Sequence, residues 1–463
     1  MPELPEVETV ARRLLPHIKG RRILSIEVLR AKNLACPAET FIAGASGKTF
    51  ERVYRRGKHL IFVLKEGGYI LSHLRMEGRY FFEDEGSEKR KHDILYYHLD
   101  GAKRLAYCDT RKFGRLSYCK DSQSLNLALS SLGPEPFDFS PHSFYLALHP
   151  LKKKIKEAIM DQSVIAGIGN IYADEALFAS FMSPLALASS LSEEECALLL
   201  ENIKRLLIEA IKQGGSTIRS YHPEEGVSGA MQSKLKCYGK GGQPCPRCGC
   251  RLKRIALNGR GTTYCPLCQR EKNKRFIVGI SGPIHSGKST FASFLARKGY
   301  CLFDADKEAR ALYDLKKVKR KLSSLCPSAL KENGEIDFAT LRLYLSSSPE
   351  SKAKLNAIIF PLVKAKAASF IAKCPQKGKI VLDVPLLLDA KIDELCDVII
   401  LLEASERQRG ERLRKEGRDA SALLAINEGY PLLESEKIAS IVIVNDGSEE
   451  ELKAKAEKLF SKD

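Results

Sequence analysis

Two sites of different chemistry follow each other between residues 245 and 290, and this constrains the fold more than any other feature of the chain. Two Cys-x-x-Cys pairs with 16 residues between them end at residue 268, and this is the spacing of a four-thiolate zinc site. A short apolar run at 276–280 then leads into Gly-Pro-Ile-His-Ser-Gly-Lys-Ser-Thr at 282–290, which satisfies the phosphate-loop pattern G-x4-G-K-[ST]. Because only a short polar run separates the two sites, the sequence predicts two proteins joined end to end.

Length and cysteine content predict several domains in a reducing compartment. A chain of 463 residues is too long for one hydrophobic core, so roughly two to four domains are expected. The chain has 14 cysteines and an N-terminal sequence unlike an export signal, which indicates metal ligation rather than disulfides. We therefore expect a cytoplasmic protein, and we expect no membrane partner because no uninterrupted apolar run approaches about 18 residues. The predicted ligands of one structural Zn²⁺ are Cys245, Cys248, Cys265 and Cys268.

The positive charge is concentrated in the first part of the chain. Residues 1–274 hold 43 Lys and Arg against 30 Asp and Glu, whereas residues 275–463 hold 32 against 27. A basic surface of this size predicts a polyanionic partner, most simply nucleic acid, for the first part.

The N-terminal Met-Pro-Glu-Leu-Pro-Glu fits a helix start, because prolines and acidic residues are favoured in a first turn. It also suits covalent catalysis. Removal of Met1 would expose Pro2 as a secondary amine, and an α-amino group with a pKa of about 8 is far more often a free nucleophile at neutral pH than a lysine. Its attack on an aldehyde-like carbon gives an iminium ion, with Glu3 and Glu6 as neighbouring acid/base groups.

Short alternating apolar and polar runs at 20–120 predict a β-rich domain, and the pattern becomes helical from about residue 131. A basic run at 152–156 is predicted to begin a helix. The glycine-rich turn at 165–169 precedes another helix, and its backbone N–H groups are interpreted as a site for a DNA phosphate. Between the cysteine pairs, Asn-Gly predicts a hairpin tip that presents Arg260.

These motifs together resemble formamidopyrimidine-DNA glycosylase, the bacterial enzyme that removes 8-oxoguanine and ring-opened purines. The resemblance covers the first 270 residues in family order, from the N-terminal Pro-Glu-Leu-Pro-Glu through Arg-Gly-Lys at 56–58 to the zinc hairpin. It implies that Pro2 is the Schiff-base nucleophile and Glu3 the acid, and that Lys58 and Arg260 assist the eliminations. The contacts with damaged double-stranded DNA that it implies are Met76, His92, Arg111, Phe113, Lys152, Lys156 and Asn170.

Lesion preference depends on two loops. The resemblance implies that Met76, Arg111 and Phe113 fill the gap left by a flipped nucleotide. Phe113 beside Arg111 favours this family over the related Nei-like enzymes specific for oxidised pyrimidines, which are the alternative. The loop at 226–232 departs from the family pattern because it lacks an aromatic residue before its glutamine.

The strand–loop–helix context at 276–290 predicts a nucleotide site in which loop N–H groups cradle phosphates. Further strand patterns at 381–384, 398–402 and 441–444 predict a parallel α/β core. Segments 303–310, 383–388 and 445–447 resemble dephospho-CoA kinase, which phosphorylates the ribose 3′-hydroxyl of dephospho-CoA with ATP and Mg²⁺. The resemblance implies that Asp306 accepts the hydroxyl proton. The predicted nucleotide-binding residues are Gly282, His285, Ser286, Gly287, Lys288, Ser289 and Thr290.

The kinase part departs from its family at several phosphate-facing positions. Glutamate occupies the position of the lid arginine, unless Arg418 substitutes for that arginine after a small shift. Losing such cations weakens transition-state stabilisation, so a non-catalytic nucleotide-binding module is the alternative to an active kinase. The departures are Pro283, His285, Phe360, Glu416 and Glu428.

The predicted fold is therefore multidomain, and its predicted function is bifunctional. A β-sandwich-like N-terminal domain (1–130) precedes a helix–two-turn–helix domain (131–235) and a four-cysteine zinc finger (236–272). An α/β P-loop kinase domain (275–463) follows. Because this last domain supplies no zinc ligand, its folding is expected to be independent of the metal.

Overall fold

The computed structural model describes residues 1–215, 231–331, 333, 335–417 and 432–460. Contacts divide the chain into two units, each described by itself below. The first comprises Met1–Gly241 and Lys253–Tyr264, and the second comprises Gly242–Leu252 and Cys265–Asp463.

The first unit begins with a β-sandwich, as predicted. One antiparallel sheet has the order β1 (Ile23–Val28), β6 (Asp93–Leu99), β7 (Lys103–Asp109), β5 (Gly78–Asp84). The other has the order β2 (Phe50–Arg56), β3 (His59–Leu64), β4 (Tyr69–His73), β8 (Arg115–Cys119). Both sheets contribute to one apolar core, and α1 (Leu4–Ile18) adds Val7, Val10, Leu14 and Ile18 at helical spacing. Two short helices, α2 (Ala38–Ala45) and α3 (Ser122–Leu129), flank the sheets.

The remainder of the first unit is helical and has its own core. It contains α4 (Pro141–Leu148), α5 (Ile155–Met160), α6 (Asn170–Ala179), α7 (Glu193–Lys212) and α8 (Met231–Lys234). The predicted start of the basic helix is corrected, because α5 begins at Ile155 and the lysines at 152–154 precede it. Strands β9 (Lys253–Leu257) and β10 (Arg260–Tyr264) form the predicted hairpin.

The second unit is built on the predicted parallel sheet, in the order β12 (Cys301–Asp304), β13 (Lys379–Asp383), β11 (Phe276–Ser281), β14 (Val398–Glu403), β15 (Ile441–Val444). Its register aligns Asp304 with Asp383, so two carboxylates meet at the carboxyl edge of the sheet. Ligands bind at this edge in open parallel sheets, beside the loop that follows β11. The helices are α9 (Lys288–Arg297), α10 (Ala305–Leu312), α11 (Lys316–Leu325), α12 (Phe338–Ser347), α13 (Pro349–Lys373), α14 (Glu406–Lys415), α15 (Leu432–Ile438) and α16 (Glu449–Leu459).

By length and composition alone, the stretch Glu350–Lys373 of α13 is apolar enough to cross a membrane, with a mean hydropathy of 1.5. The same helix places Leu355, Ile359, Val363 and Ala367, four residues apart, in the core of the second unit. A core helix passes the same test, so its composition is weak evidence for a membrane span.

Candidate active sites

The N-terminal carboxylate Glu3 is buried at the start of helix α6. Its two oxygens accept hydrogen bonds from the backbone N–H groups of Gly169 (2.7 Å), Ile171 (2.8 Å) and Tyr172 (3.3 Å). A side chain at Gly169 would place its Cβ 2.3 Å from the Glu3 carboxyl carbon. The glycine-rich turn is thus shaped around Glu3.

This geometry corrects the interpretation of that turn as a DNA-phosphate site. The N–H groups that were expected to meet a phosphate are occupied by a carboxylate of the same chain. The residue and the turn lie about 166 positions apart in sequence, and local sequence patterns do not reveal such a pairing.

The environment of Glu3 favours its protonated form. Burial raises the pKa of Glu3 to about 7, although Lys58 and the N–H groups of α6 act in the opposite direction. Glu6 adds to the increase, and it is itself held by the hydroxyl of Tyr172 (2.7 Å) and the backbone N–H of Glu3 (2.8 Å). A carboxyl group with a pKa near neutrality can both donate and accept a proton.

Lys58 and Pro2 are both buried at this carboxylate cluster. The Lys58 ammonium donates to the carbonyl of Ile168 at 2.7 Å, and burial lowers the pKa of Lys58 while Glu3 and Glu6 raise it. Pro2 is buried next to Glu3, and exposed Met1 precedes it. In this form the Pro2 nitrogen is an amide, so only loss of Met1 makes it an amine.

The hairpin that carries Arg260 is fixed from below by a buried ion pair. Asn258 and Gly259 both have positive φ (46° and 71°), as a two-residue Asn-Gly turn requires. Lys156 is 1% exposed, and its ammonium lies 2.6 Å from Asp174 and 2.8 Å from the hydroxyl of Thr262. Arg260 itself is exposed at the start of β10.

Lys156 and Asn170 therefore hold the hairpin. The Asn170 amide donates to the carbonyl of Gly261 at 3.0 Å, and Lys156 donates to the same oxygen at 3.1 Å. With its ammonium buried among Asp174, Gly261 and Thr262, Lys156 acts here as a support for the hairpin rather than as an exposed cation. The burial of a lysine in a basic run could not be read from the sequence.

An exposed loop presents the predicted wedge residues. Phe113 is 53% exposed, and the Arg111 guanidinium lies over its ring at 5.1 Å from the centroid. Buried Asp109 fixes the loop by accepting from the N–H groups of Arg111 (3.0 Å) and Gly114 (2.7 Å). Asn33, which sequence reasoning missed, donates its amide to the carbonyls of Lys112 and Gly114 (3.2 and 2.8 Å).

The other predicted DNA contacts lie in this unit at varied exposure. Met76 and His92 are half-buried, and Lys152 is exposed just before α5. Most of the lesion-preference loop at 226–232 lies outside the described residues.

The four predicted zinc ligands converge in the second unit. Their sulfur atoms lie within 4.8 Å of one another, and neighbouring sulfurs are 3.4 to 4.0 Å apart. A tetrahedral ion with Zn–S bonds of about 2.3 Å places sulfurs roughly 3.8 Å apart, so the cluster fits Zn²⁺. The cluster is Cys245, Cys248, Cys265 and Cys268, and four thiolates make it a closed structural site.

The phosphate loop has the geometry that the motif predicts. Gly282 (φ 148°) and Gly287 (φ 101°) have positive φ, and Gly287 caps α9. The ammonium of Lys288 is folded back onto the carbonyls of Gly282 and Pro283, each at 2.8 Å. Burial lowers the pKa of Lys288, and Asp383 and Asp306 oppose the decrease.

A cavity of about 1010 Å³ opens beside this loop, which is large enough for a nucleotide. Asp306 lines it, and burial raises the pKa of Asp306. The hydroxyl of Ser289 donates to Asp383 at 3.0 Å, which places a hydroxyl and a carboxylate where they fit a Mg²⁺ ion. The cavity also receives Gly282, His285, Gly287 and Thr290 of the loop, whereas Ser286 is buried beneath it.

Two of the family departures contact each other in this cavity. His285 has a positive φ of 56°, and its Nδ1 lies 3.5 Å from a carboxylate oxygen of Glu416. Arg412, whose contacts the sequence did not reveal, donates to the carbonyls of His285 (2.9 Å) and Asn445 (2.9 Å). It ties the lid helix α14 to the loop. Arg418 and Glu428 lie outside the described residues, and Phe360 is half-buried against the core.

Four family models match separate parts of the chain. They describe the formamidopyrimidine-DNA glycosylase N-terminal domain (1–116), its H2TH domain (132–222), a zinc finger found in FPG and IleRS (242–270) and dephospho-CoA kinase (276–451).

Relatives and solved structures cover the first part. Formamidopyrimidine-DNA glycosylase of Ligilactobacillus salivarius is 42% identical over 276 residues, which is 59% of this chain and 100% of that protein. The enzyme of Streptococcus mutans is 44% identical over 275 residues, which is 58% of this chain and 100% of that protein. The crystal structure of Lactococcus lactis Fpg with DNA containing an abasic site is similar to this chain with a TM-score of 0.55 and 39% identity, over 58% of this chain and 100% of that one. The chain thus belongs to the formamidopyrimidine-DNA glycosylase family, with a dephospho-CoA kinase domain joined to its carboxyl end.

Proposed function

We propose that the chain is a bifunctional enzyme, an 8-oxoguanine and formamidopyrimidine glycosylase with lyase activity joined to an ATP-dependent dephospho-CoA kinase. The observation that carries the first activity is the carboxyl of Glu3, whose pKa is about 7, beside Pro2 and Lys58. The second rests on the phosphate loop and the acidic residues beside it. The domain boundaries are proposed at 1–130, 131–235, 236–272 and 275–463, and the location is proposed to be the cytoplasm.

In the glycosylase, the freed Pro2 amine attacks C1′ of the damaged nucleotide. The new N–C1′ bond forms as the bond to the base breaks, and a protonated carboxylic acid supplies the proton that opens the sugar ring. Glu3 is suited to this step because burial keeps it protonated up to about neutral pH. The iminium ion then acts as the electron sink for loss of the sugar phosphates, with Lys58 and Arg260 as the neighbouring cations.

The wedge loop supports the extrusion of the damaged base. Phe113 is held out of the protein by bonds from Asp109 and Asn33, so its ring can enter the stack without reorganisation of the loop. A lesion specificity for oxidised pyrimidines remains the alternative, and comparing 8-oxoguanine with thymine-glycol duplex separates the two.

Borohydride trapping tests the nucleophile. The chain with Pro2 exposed is expected to cross-link covalently to duplex that contains 8-oxoguanine or an abasic site. A chain that retains a tag ahead of Pro2 serves as the matched control and should not cross-link. Normal cross-linking of the tagged chain would rule out the Pro2 amine.

In the kinase, Asp306 would accept the proton of the ribose 3′-hydroxyl as that oxygen attacks the γ-phosphorus of ATP. The P–O bond to ADP breaks, and Lys288 and the loop N–H groups balance the charge of the phosphates. A Mg²⁺ ion held by Ser289 and Asp383 would neutralise further charge. Both aspartates lie beside the cavity, and burial raises the pKa of both.

Glu416 in this cavity favours a slow enzyme, and it also favours the non-catalytic module as the second candidate function. Its carboxylate lies beside the phosphate loop, at the position where the family resemblance implies an arginine. Incubation with ATP, Mg²⁺ and dephospho-CoA should form coenzyme A and ADP more slowly than a kinase without these departures. Lys288→Ala should abolish both binding and turnover, whereas ATP binding by the intact chain with no transfer would support the module.

A further inference from the structure

Polar atoms without partners cluster at one edge of the second unit. Among the residues that the structure describes in this unit, the buried side-chain atoms without a hydrogen bond belong to Ser286, Asp383, Glu403 and Arg409. These residues lie in the loop after β11, at the ends of β13 and β14 and in the helix after β14. Buried polar groups in folded proteins are nearly always satisfied, so such a cluster indicates a ligand that completes the set.

Arg409 is the member of this cluster that carries a fixed positive charge. It is 8% exposed, and its Nε and Nη1 atoms are buried without a partner. Its ion pair among the described residues is with Glu406, at 3.8 Å, and the Glu406 side chain is 86% exposed. An exposed carboxylate at this distance compensates a buried guanidinium poorly, because water screens it.

The position of Arg409 relates it to the phosphate loop. Gln408 and Arg412, on the same helix α14, line the cavity. Burial lowers the pKa of Lys288, and the charge of Arg409 is close enough to lower it further. Two cations that repel each other in the empty site can both be stabilised by an anion with several negative oxygens placed between them.

We propose that Arg409 is a phosphate-binding residue of the kinase site, donating its guanidinium N–H groups to the triphosphate of the bound nucleotide. This inference rests on the proposed kinase function and adds a residue that sequence reasoning did not select. It also gives the site a cation on the lid helix, where Glu416 provides none. A guanidinium presents several donors in a fixed fork, which suits phosphate oxygens better than a single ammonium does.

Binding of ATP with Mg²⁺ to the full chain, measured by titration calorimetry, tests the proposal. Arg409→Gln should weaken ATP binding roughly tenfold or more, as expected for loss of a charge-assisted hydrogen bond. Arg407→Gln is the matched control, since it removes the same charge from an 85% exposed side chain of the same helix. The control should change the affinity less than about twofold, as is usual for an exposed charge.

Thermal unfolding of the ligand-free proteins separates binding from a structural role. Because Arg409 lacks a buried partner, Arg409→Gln should unfold at the same temperature as the wild type or higher. Equal ATP affinities of the wild type and Arg409→Gln, or a loss of ligand-free stability in Arg409→Gln, would overturn the proposal. If Arg409→Gln does not fold, Arg409→Lys must bind ATP more weakly than the wild type for the proposal to stand.

The proposed kinase function can fail separately from this inference. ATP binding that depends on Arg409 without any formation of coenzyme A would leave the phosphate-binding role intact and remove the kinase activity. A wild-type chain that binds no ATP would overturn both.

Discussion

At the scale of single residues, the balance of forces on Glu3 decides what the first site can do. Three N–H groups and Lys58 favour the carboxylate, and burial favours the acid. Burial has the larger effect, so the pKa rises to about 7 instead of falling. The sequence placed Glu3 next to Pro2, but the size of this shift depends on a helix that lies far away in the chain.

This raised pKa predicts how base excision depends on pH. A proton donor with a pKa of about 7 is largely protonated at pH 6 and largely ionised at pH 8. Single-turnover excision should therefore fall about tenfold between these two pH values, with Glu3 as the titrating acid. Glu3→Gln should excise far more slowly at both values. A rate that is flat from pH 6 to pH 8 would exclude Glu3 as the proton donor.

The same shift has a consequence for stability. The pKa of Glu3 is higher in the folded chain than in the unfolded one, so protonation favours folding at low pH. The stabilisation is fully present below about pH 4.5 and is lost as the pH rises through about 7. Glu3→Gln should remove this part of the pH dependence of the unfolding free energy, measured by denaturant titration.

At the scale of elements, loops and turns are positioned by contacts that sequence patterns do not record. The strands, the hairpin and the phosphate loop follow from alternation, Asn-Gly and glycine spacing, and the structure confirms them. The support of the hairpin by Lys156 could not be predicted, because it pairs with an aspartate from another helix. The lysine appears in the sequence only as part of a charged run.

The wedge loop gives a prediction at this scale. Asn33→Ala removes two hydrogen bonds to the loop that carries Phe113, worth about 1 kcal/mol each. The loop should lose its fixed geometry, and base flipping, followed by 2-aminopurine fluorescence, should slow several-fold. Lys32→Ala, a change at the neighbouring exposed residue, is the control. Flipping at the wild-type rate in Asn33→Ala would show that the loop is positioned by other contacts.

At the scale of the whole molecule, the zinc cluster is attached to the second unit. The backbone N–H of Arg251 donates to Ser440 at 2.7 Å, and its guanidinium donates to the carbonyl of Lys437 at 2.8 Å. On the other side of the cluster, the Arg270 guanidinium lies over the ring of Phe276 at 4.1 Å. These contacts argue against the expectation that residues 275–463 fold independently of the metal, which considered only where the ligands come from.

Loss of zinc should therefore weaken the second unit. Cys248→Ser is expected to lose the metal, release Arg251 and lower the unfolding temperature of the kinase part by several degrees. Hydrogen exchange at β15, which follows Ser440, should accelerate. Cys36→Ser, at a half-buried cysteine outside the cluster, is the control. Unchanged exchange at β15 in a zinc-free variant would restore the expectation of independence.

The central claim is that one chain carries two separate catalytic sites, and a paired measurement on the full-length protein tests it most directly. Lesion cross-linking under borohydride and coenzyme A formation are measured on three proteins, which are the wild type, a chain with a retained tag ahead of Pro2, and Lys288→Ala. The wild type is expected to show both activities. The tag should abolish cross-linking alone, and Lys288→Ala should abolish coenzyme A formation alone. Absence of coenzyme A formation in the wild type, or loss of both activities from either change, would contradict the account.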